Sequence, residues 1–118
     1  MPHSKITGVG MYVPREVVTN DDLSKLMDTS DEWIVERTGI KERRFFKEGI
    51  DTVSSMGAKA AEQALERAGK KAEDIDLIVM ATLSSDYNFP GSGALVQRKL
   101  PFRNIPAFDV KAQCSGFI

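Results

Sequence analysis

Cys114 is the residue of this chain best suited to do chemistry, and it is the only cysteine among 118 residues. It follows the run Ala107–Val110, which is typical of a buried strand, and precedes Ser115 and Gly116, which allow a sharp turn. Reacting groups in parallel α/β sheets gather beyond the carboxyl ends of strands. A helix beginning at Cys114 would favour a negatively charged sulfur and direct free backbone N–H groups at a developing oxyanion. A lone cysteine is also commonly a small buried apolar residue, so the residues alone leave both interpretations open.

Trp33 and Arg37 form a second candidate, because residues four apart share one face of a helix. An exposed indole beside a guanidinium could stack on an adenine ring and bind a phosphate. The alternative is that Trp33 packs in a core while Arg37 is solvated, and composition alone favours that alternative. The sequence "KERR" at 41–44 could attract phosphates or an acidic partner, although a solvated charge run is the ordinary interpretation.

The elements that must position these residues follow the order of an α/β protein. Strands are predicted over Lys5–Val13, Leu77–Leu83 and Ala107–Val110. Helices are predicted at "TNDDLSKLM", at "TSDEWIVERTG", over Val53–Ala68 and over roughly Ser92–Leu100. The apolar run Leu77–Leu83 lacks alternation, as expected of a strand covered on both faces. Strands separated by helices imply right-handed crossovers and a mostly parallel sheet flanked by helices.

Capping residues predict where these helices begin and end. Thr19 or Asn20 caps the first helix and Ser30 caps the second, whereas Gly39 and Gly69 end helices in a left-handed conformation. Small residues, mostly alanine, recur on one face of Val53–Ala68. That face is therefore expected to lie close against a sheet.

Composition excludes several classes of protein. A formal net charge of -1 gives no support for nucleic-acid binding through a globally basic surface. One cysteine cannot form an intrachain disulfide. The longest apolar run is far shorter than a membrane span, and the start "MPHSKITG" lacks the apolar core of a signal peptide. The expectation is a soluble cytoplasmic protein with neither nucleic-acid nor membrane partners.

Longer motifs identify a family. The chain closely resembles the N-terminal part of β-ketoacyl-acyl-carrier-protein synthase III, a member of the thiolase superfamily. The matching segments are "ITGVGMYVP", "TNDDL", "DTSDEWIVERTGIKERR", "MATLSSDYNFP" and "AFDVKAQCSGF", in the family's order and spacing. Lys111 and Gln113 depart from the small residues usual in the family, which leaves the nucleophile intact but alters the packing around it.

The resemblance implies a decarboxylative Claisen condensation that starts fatty-acid synthesis. Cys114 would take an acyl group from acyl-CoA as a thioester, and malonyl-acyl carrier protein (malonyl-ACP) would lose carbon dioxide and attack that thioester. No cofactor is implied, because acyl-CoA is a substrate. A histidine and an asparagine complete the family's site. Neither is matched here: His3 lies in the N-terminal tail, and Asn20, Asn88 and Asn104 fit no part of the family's asparagine motif.

The resemblance also implies binding roles for four residues. Trp33 and Arg37 would sandwich the adenine of CoA, with Thr29 nearby. Phe89 would cross a homodimer interface and line the partner's acyl pocket. The implied partners are therefore acyl-CoA, malonyl-ACP and a second copy of the chain.

Residues 1–118 are expected to be the N-terminal portion of a thiolase-like domain whose second half is absent, and to be insufficient alone for condensation. One alternative is another thiolase-fold enzyme that condenses acyl-CoA substrates, although "DEWIVERTGI" favours the synthase III branch. A second alternative is a non-catalytic half that binds CoA or a partner chain.

Overall fold

The computed structural model of the chain describes residues 3–117, which divide into two compact units. Residues 13–51 form what we call the inserted unit, and residues 3–12 with 52–117 form the split unit. Within the described residues, none of the helices combines the length and apolar character that a membrane crossing requires.

The inserted unit contains two strands and two helices: β1 (Glu16–Thr19), α1 (Asn20–Ser24), α2 (Asp31–Thr38) and β2 (Glu42–Phe45). The two strands pair antiparallel, with Val18 opposite Arg43. Val18 and Ile34 are its buried apolar residues. The sequence predicted neither strand, and the charged residues of β2 favoured a solvated segment instead. Arg43, on β2, is partly buried rather than fully solvated.

The predicted caps of the two helices are confirmed. The Thr19 hydroxyl accepts from the Asp22 amide at 3.2 Å, so Thr19 rather than Asn20 caps α1. The Ser30 hydroxyl accepts from the Trp33 amide at 3.2 Å, and Gly39 ends α2 with φ of 71°. Both ends of α2 are thus defined by local sequence.

The split unit carries the remaining elements in alternating order. They are α3 (Val53–Ala68), β3 (Ile78–Ala81), α4 (Ser92–Lys99) and β4 (Ala107–Val110), with short 3-10 turns at Ala72–Asp74 and Gln113–Ser115. Strands β3 and β4 pair in parallel, with Ile78 opposite Ala107. The α/β class, with helices packed on a parallel strand pair, is confirmed. Gly69 ends α3 in the predicted left-handed conformation, with φ of 63°.

The core of the split unit forms where α3 meets α4 and β3. A β-carbon at Gly57 of α3 would lie 3.2 Å from the Met80 side chain and 3.4 Å from the Val96 side chain. Val96, with Leu100 and Ile105, is buried. The small residues of α3 therefore allow the close packing that the sequence predicted.

One strand prediction is wrong and a second is wrong in part. Residues 5–13 do not form a regular strand; Gly8 and Gly10 instead lie against the backbone of α3 at Ala64 and Ala60, where a β-carbon would collide. Strand β3 is shorter than Leu77–Leu83 and is covered on one face only, because Val79 is 50% exposed. Phe108, on β4, is exposed as well.

Candidate active site

Cys114 lies in a tight turn just beyond the carboxyl end of β4, and it is exposed. The Thr82 amide donates to the Val110 carbonyl at 3.2 Å, which continues the strand pairing to the edge of the turn. The element that contains the cysteine is a single 3-10 turn, Gln113–Ser115, rather than an α-helix beginning at Cys114. Its left-handed residue is Gln113, with φ of 46°, whereas Gly116 has ordinary helical angles.

The turn is packed against the end of the neighbouring strand. A β-carbon at Gly116 would lie 2.9 Å from the Ala81 β-carbon, so a larger residue would push the turn away from β3. The Ser115 amide donates to the Ala112 carbonyl at 2.9 Å. The sequence Ser115–Gly116 thus forms part of the sharp turn that was expected, although the left-handed angle falls at Gln113, one residue before the cysteine.

The carboxylate of Asp109, five positions before the cysteine, fastens β4 to the start of α4. It accepts from the Ser85 hydroxyl at 2.6 Å, the Ser92 amide at 2.8 Å and the Gly93 amide at 2.6 Å. We call Asp109, Ser85, Ser92 and Gly93 the Asp109 cluster. A β-carbon at Gly91 would lie 2.9 Å from the carboxyl carbon, so glycine there leaves room for the carboxylate.

The environment of Asp109 favours its ionised form. Partial burial raises the pKa of this carboxyl, but the Ser85 hydroxyl, the Gly93 and Ser92 amides and the charge of Lys111 outweigh it. The net pKa lies below the ordinary value for aspartate. The carboxylate is therefore charged across the whole neutral range.

A second carboxylate, Asp86, holds the start of α3. It accepts from the Val53 amide at 2.6 Å and the Ser54 amide at 3.0 Å, and its own amide donates to the Ser92 hydroxyl at 3.0 Å. The first turn of each long helix in the split unit is thus bound by a carboxylate, as the positive end of a helix favours.

Trp33 and Arg37 lie on one face of α2, as predicted. The guanidinium carbon of Arg37 is 4.7 Å from the centre of the Trp33 ring, which is a cation–π contact. The indole is 53% exposed, so it does not pack in a core. Its exposure leaves ring surface available for stacking, whereas Arg37 covers part of one face.

A buried amide, Asn20, fixes the helix that carries this pair. Its Nδ2 donates to Asp31 Oδ1 at 2.7 Å and to the Ile40 carbonyl at 2.8 Å, and its Oδ1 accepts from Arg43 at 2.6 Å. Asn20 is 1% exposed. We call Asn20, Asp31, Ile40 and Arg43 the Asn20 cluster; it joins the first residue of α2 to the segment that follows α2.

The other predicted residues take no part in the hydrogen bonds of these clusters. Phe89 is on an exposed loop of the split unit and is itself 90% exposed. Thr29 is half-buried just before the Ser30 cap. His3 is exposed near the start of the described chain. Sequence reasoning did not find the roles that Asn20, Asp86 and Asp109 play in these clusters, because the sequence around a single polar residue gives no signal of partners distant along the chain.

Known proteins match nearly the whole of this chain. No protein-family model matches it. It is 55% identical over 116 residues to β-ketoacyl-acyl-carrier-protein synthase III 1 of Vibrio parahaemolyticus, and 54% identical over 115 residues to the synthase III of Caulobacter vibrioides. Each match covers 98% of this chain. The resemblance to synthase III is confirmed.

The matches cover only part of these relatives. The chain spans 36% of the Vibrio protein and 35% of the Caulobacter protein, about a third of each. Synthase III of Aquifex aeolicus is a solved structure with 50% identity and a TM-score of 0.88, matched over 96% of this chain and 36% of its own. The priming β-ketosynthase of the R1128 polyketide pathway is 36% identical with a TM-score of 0.89, over 96% of this chain and 34% of its own.

Proposed function

We propose that this chain supplies the nucleophile-bearing part of a β-ketoacyl-acyl-carrier-protein synthase III. The observation that carries the proposal is the position of Cys114. It is an exposed thiol in a turn at the carboxyl end of a parallel strand, within a chain 55% identical to a synthase III over nearly its whole length. A protein of this kind would start fatty-acid synthesis by condensing acyl-CoA, such as acetyl-CoA, with malonyl-ACP.

In the proposed reaction, the Cys114 sulfur attacks the thioester carbonyl of acyl-CoA. The carbon–sulfur bond to CoA breaks, CoA leaves as a thiol after taking up a proton, and the acyl group remains on Cys114. Malonyl-ACP then loses carbon dioxide, and the resulting carbanion attacks the acyl-cysteine to release β-ketoacyl-ACP. The exposed turn suits both steps, because the sulfur must meet two large substrates in succession.

Trp33, Arg37 and Thr29 are proposed to bind CoA. The exposed indole offers a stacking surface for adenine, and the guanidinium offers charge and hydrogen bonds to phosphate. Because Arg37 already contacts the ring at 4.7 Å, adenine can enter between the two only if Arg37 moves away from the indole. Binding on the uncovered part of the ring requires no such movement.

Phe89 is proposed to contact a second copy of the chain. A phenylalanine that is 90% exposed loses apolar surface from water if a partner covers it, and aromatic residues are enriched at the centres of interfaces. A homodimer in the cytoplasm is accordingly part of the proposal.

A second function is favoured by one observation. The similarity to the R1128 priming β-ketosynthase, at a TM-score of 0.89, supports a related condensing enzyme that primes a different product. Its identity of 36% is lower than the 55% with the Vibrio synthase III, so fatty-acid initiation is the better supported choice. A non-catalytic CoA-binding half has no comparable support.

The test joins this chain to the part of a relative that lies outside the matched segment. Residues 3–117 would replace the matching segment of the Vibrio parahaemolyticus synthase III, and β-ketoacyl-ACP formation from acetyl-CoA and malonyl-ACP would be measured. We expect turnover by the chimaera and none after Cys114→Ala. The 118-residue chain alone should give no condensation product.

Cys114→Ser provides a matched control, since it keeps the size of the side chain while replacing the sulfur. A folded chimaera that still forms product after Cys114→Ala would overturn the proposal. Turnover with acyl-CoA alone, without malonyl-ACP, would instead favour the related condensing enzyme.

A further inference from the structure

We infer that Asp109 is a positioning residue that holds the turn bearing Cys114 by joining β4 to the first residues of α4. The inference rests on the proposed function only for the role of Cys114 as the nucleophile. Asp109 touches no reacting atom; it acts through the chain between itself and Cys114.

The geometry gives Asp109 control of one end of the turn. Its backbone belongs to β4. Its side chain accepts hydrogen bonds from two backbone amides of α4 and from one hydroxyl in the loop that precedes α4. The strand is thereby fixed to a helix at Asp109 and to β3 at Val110, whose carbonyl accepts from the Thr82 amide. The cysteine turn begins at Gln113, three residues after Val110, and among the described residues it has no side-chain hydrogen bond of its own.

The segment "GSG" at 91–93 forms the binding site for this carboxylate. Gly91, Ser92 and Gly93 are all buried, and a β-carbon at Gly93 would approach Asp109 Oδ1 within 3.2 Å. Small residues at a helix start with free amides commonly bind an external anion. Here the anion is internal and comes from the strand that leads to the cysteine.

Asparagine at this position cannot replace the aspartate. Oδ1 accepts from Gly93 and Oδ2 accepts from both Ser92 and Ser85. An amide has one oxygen, so either orientation of Asn would place an NH₂ group against a backbone N–H. Asp109→Asn therefore keeps the volume of the side chain but weakens the attachment, because at least one of the two backbone amides loses its acceptor.

Asp86 offers a matched comparison. It also binds two backbone amides at a helix start, but at α3, and its side chain has no hydrogen bond to β4. Asp86→Asn should loosen the start of α3 to a similar degree. The bond from Asp86 to the Ser92 hydroxyl comes from the backbone amide, which the substitution keeps, so the cysteine turn should stay in place. A purely structural role for Asp109 predicts the same result for both variants.

The experiment measures amide hydrogen exchange in the 118-residue chain and in the variants Asp109→Asn and Asp86→Asn. In Asp109→Asn we expect exchange at Thr82, Ser115 and Gly116 to accelerate about tenfold or more, because losing one hydrogen bond to a charged group changes an opening equilibrium by about that factor. Exchange at the same amides should be unchanged in Asp86→Asn. Exchange does not depend on acyl transfer, so this result is separate from the success or failure of the proposed function.

A spectroscopic readout at the cysteine completes the test. Cys114 would be converted to its thiocyanate, and the width of the nitrile stretching band would report the range of environments around the sulfur. We expect a broader band in Asp109→Asn and an unchanged band in Asp86→Asn. If Asp109→Asn fails to fold, Ser85→Ala, which removes one of the three donors, should change both readouts in the same direction. Unchanged exchange and band width in these variants, or equal changes in Asp86→Asn, would overturn the inference.

Discussion

Each of the two units uses one polar side chain to fix the element that carries a candidate functional residue, but the two side chains differ in chemistry. In the inserted unit, a neutral amide, Asn20, is placed between a carboxylate and a guanidinium and fixes the helix with the Trp33–Arg37 pair. In the split unit, a charged carboxylate, Asp109, is satisfied by two backbone amides and a hydroxyl and fixes the strand before Cys114. Each cluster ties a helix start to a distant segment that carries a candidate functional residue.

The difference lies in how each cluster tolerates change. An amide has one donor side and one acceptor side, so Asn20 can be satisfied in one orientation only. A carboxylate is acceptor-only while ionised, so Asp109 depends on its charge. Substitution should therefore damage both clusters. Of the two central side chains, Asp109 takes up a proton at low pH and Asn20 does not.

The largest effect is expected from Asp109→Asn. The free energy of unfolding should fall by about 3 kcal/mol, because at least one buried backbone amide loses its acceptor and meets a second donor. Urea denaturation followed by circular dichroism would measure it. Asp76→Asn is the control: Asp76 pairs with Arg103 on the surface, and its loss should cost about 0.5 kcal/mol or less. Equal losses in the two variants would remove the distinction between them.

Asn20→Ala should have the next largest effect. Removal of the amide takes a partner from both Asp31 and Arg43, although Arg43 keeps its hydrogen bond to the Val18 carbonyl, and we expect a loss of about 2 kcal/mol. Affinity for CoA, measured by calorimetry, should fall as α2 loosens. Asn88→Ala, at an exposed loop position, is the matched control and should change neither quantity. Full CoA affinity after Asn20→Ala would show that the cluster does not support the Trp33–Arg37 pair.

Acid should separate the two clusters. The folded-state pKa of Asp109 is lowered by its hydrogen bonds, so the unfolded chain binds a proton more readily than the folded chain. The stabilisation is present above the unfolded-state value, about 3.9, and is lost as pH falls through the lower folded-state value. Urea titrations from pH 5 downward should show a smaller decline in Asp109→Asn than in the unmodified chain. Parallel declines would contradict the assignment.

The smallest effect concerns the cation–π pair. Arg37→Gln removes a contact worth about 0.5–1 kcal/mol at an exposed site, so CoA affinity should fall only about threefold from lost charge and orientation. Trp33 is the single tryptophan, so its fluorescence should report both the substitution and CoA binding. Arg98→Gln, on the exposed side of α4, should leave the fluorescence unchanged. An unaltered spectrum in Arg37→Gln would show that the pair does not form in solution.

The sequence predicts local features of this molecule well. The extent of α3 follows from small and apolar residues that recur on one face along its length. The Ser30 cap and the Gly39 and Gly69 ends follow from residues within one helix turn, where chemistry and geometry are both local. The strand β4 and the place of Cys114 after it follow from an apolar run and a small-residue turn.

The remaining features depend on partners far along the chain. Residues 5–13 have strand composition, but Gly8 and Gly10 lie against α3 instead of pairing in a sheet. Glu42–Phe45 form a strand despite their charges because Glu16–Thr19 pair with them. The two clusters join residues separated by 11 to 24 positions, such as Asn20 with Asp31 and Ser85 with Asp109. No periodicity records such pairs.

The most direct measurement is the site of acylation. The chimaera carrying residues 3–117 would be incubated with acetyl-CoA in the absence of malonyl-ACP, digested, and mapped by mass spectrometry. We predict one acetyl group on the peptide that contains Cys114, discharged when malonyl-ACP is added. An acetyl group on another residue, or product formation with Cys114 unmodified throughout, would contradict the account.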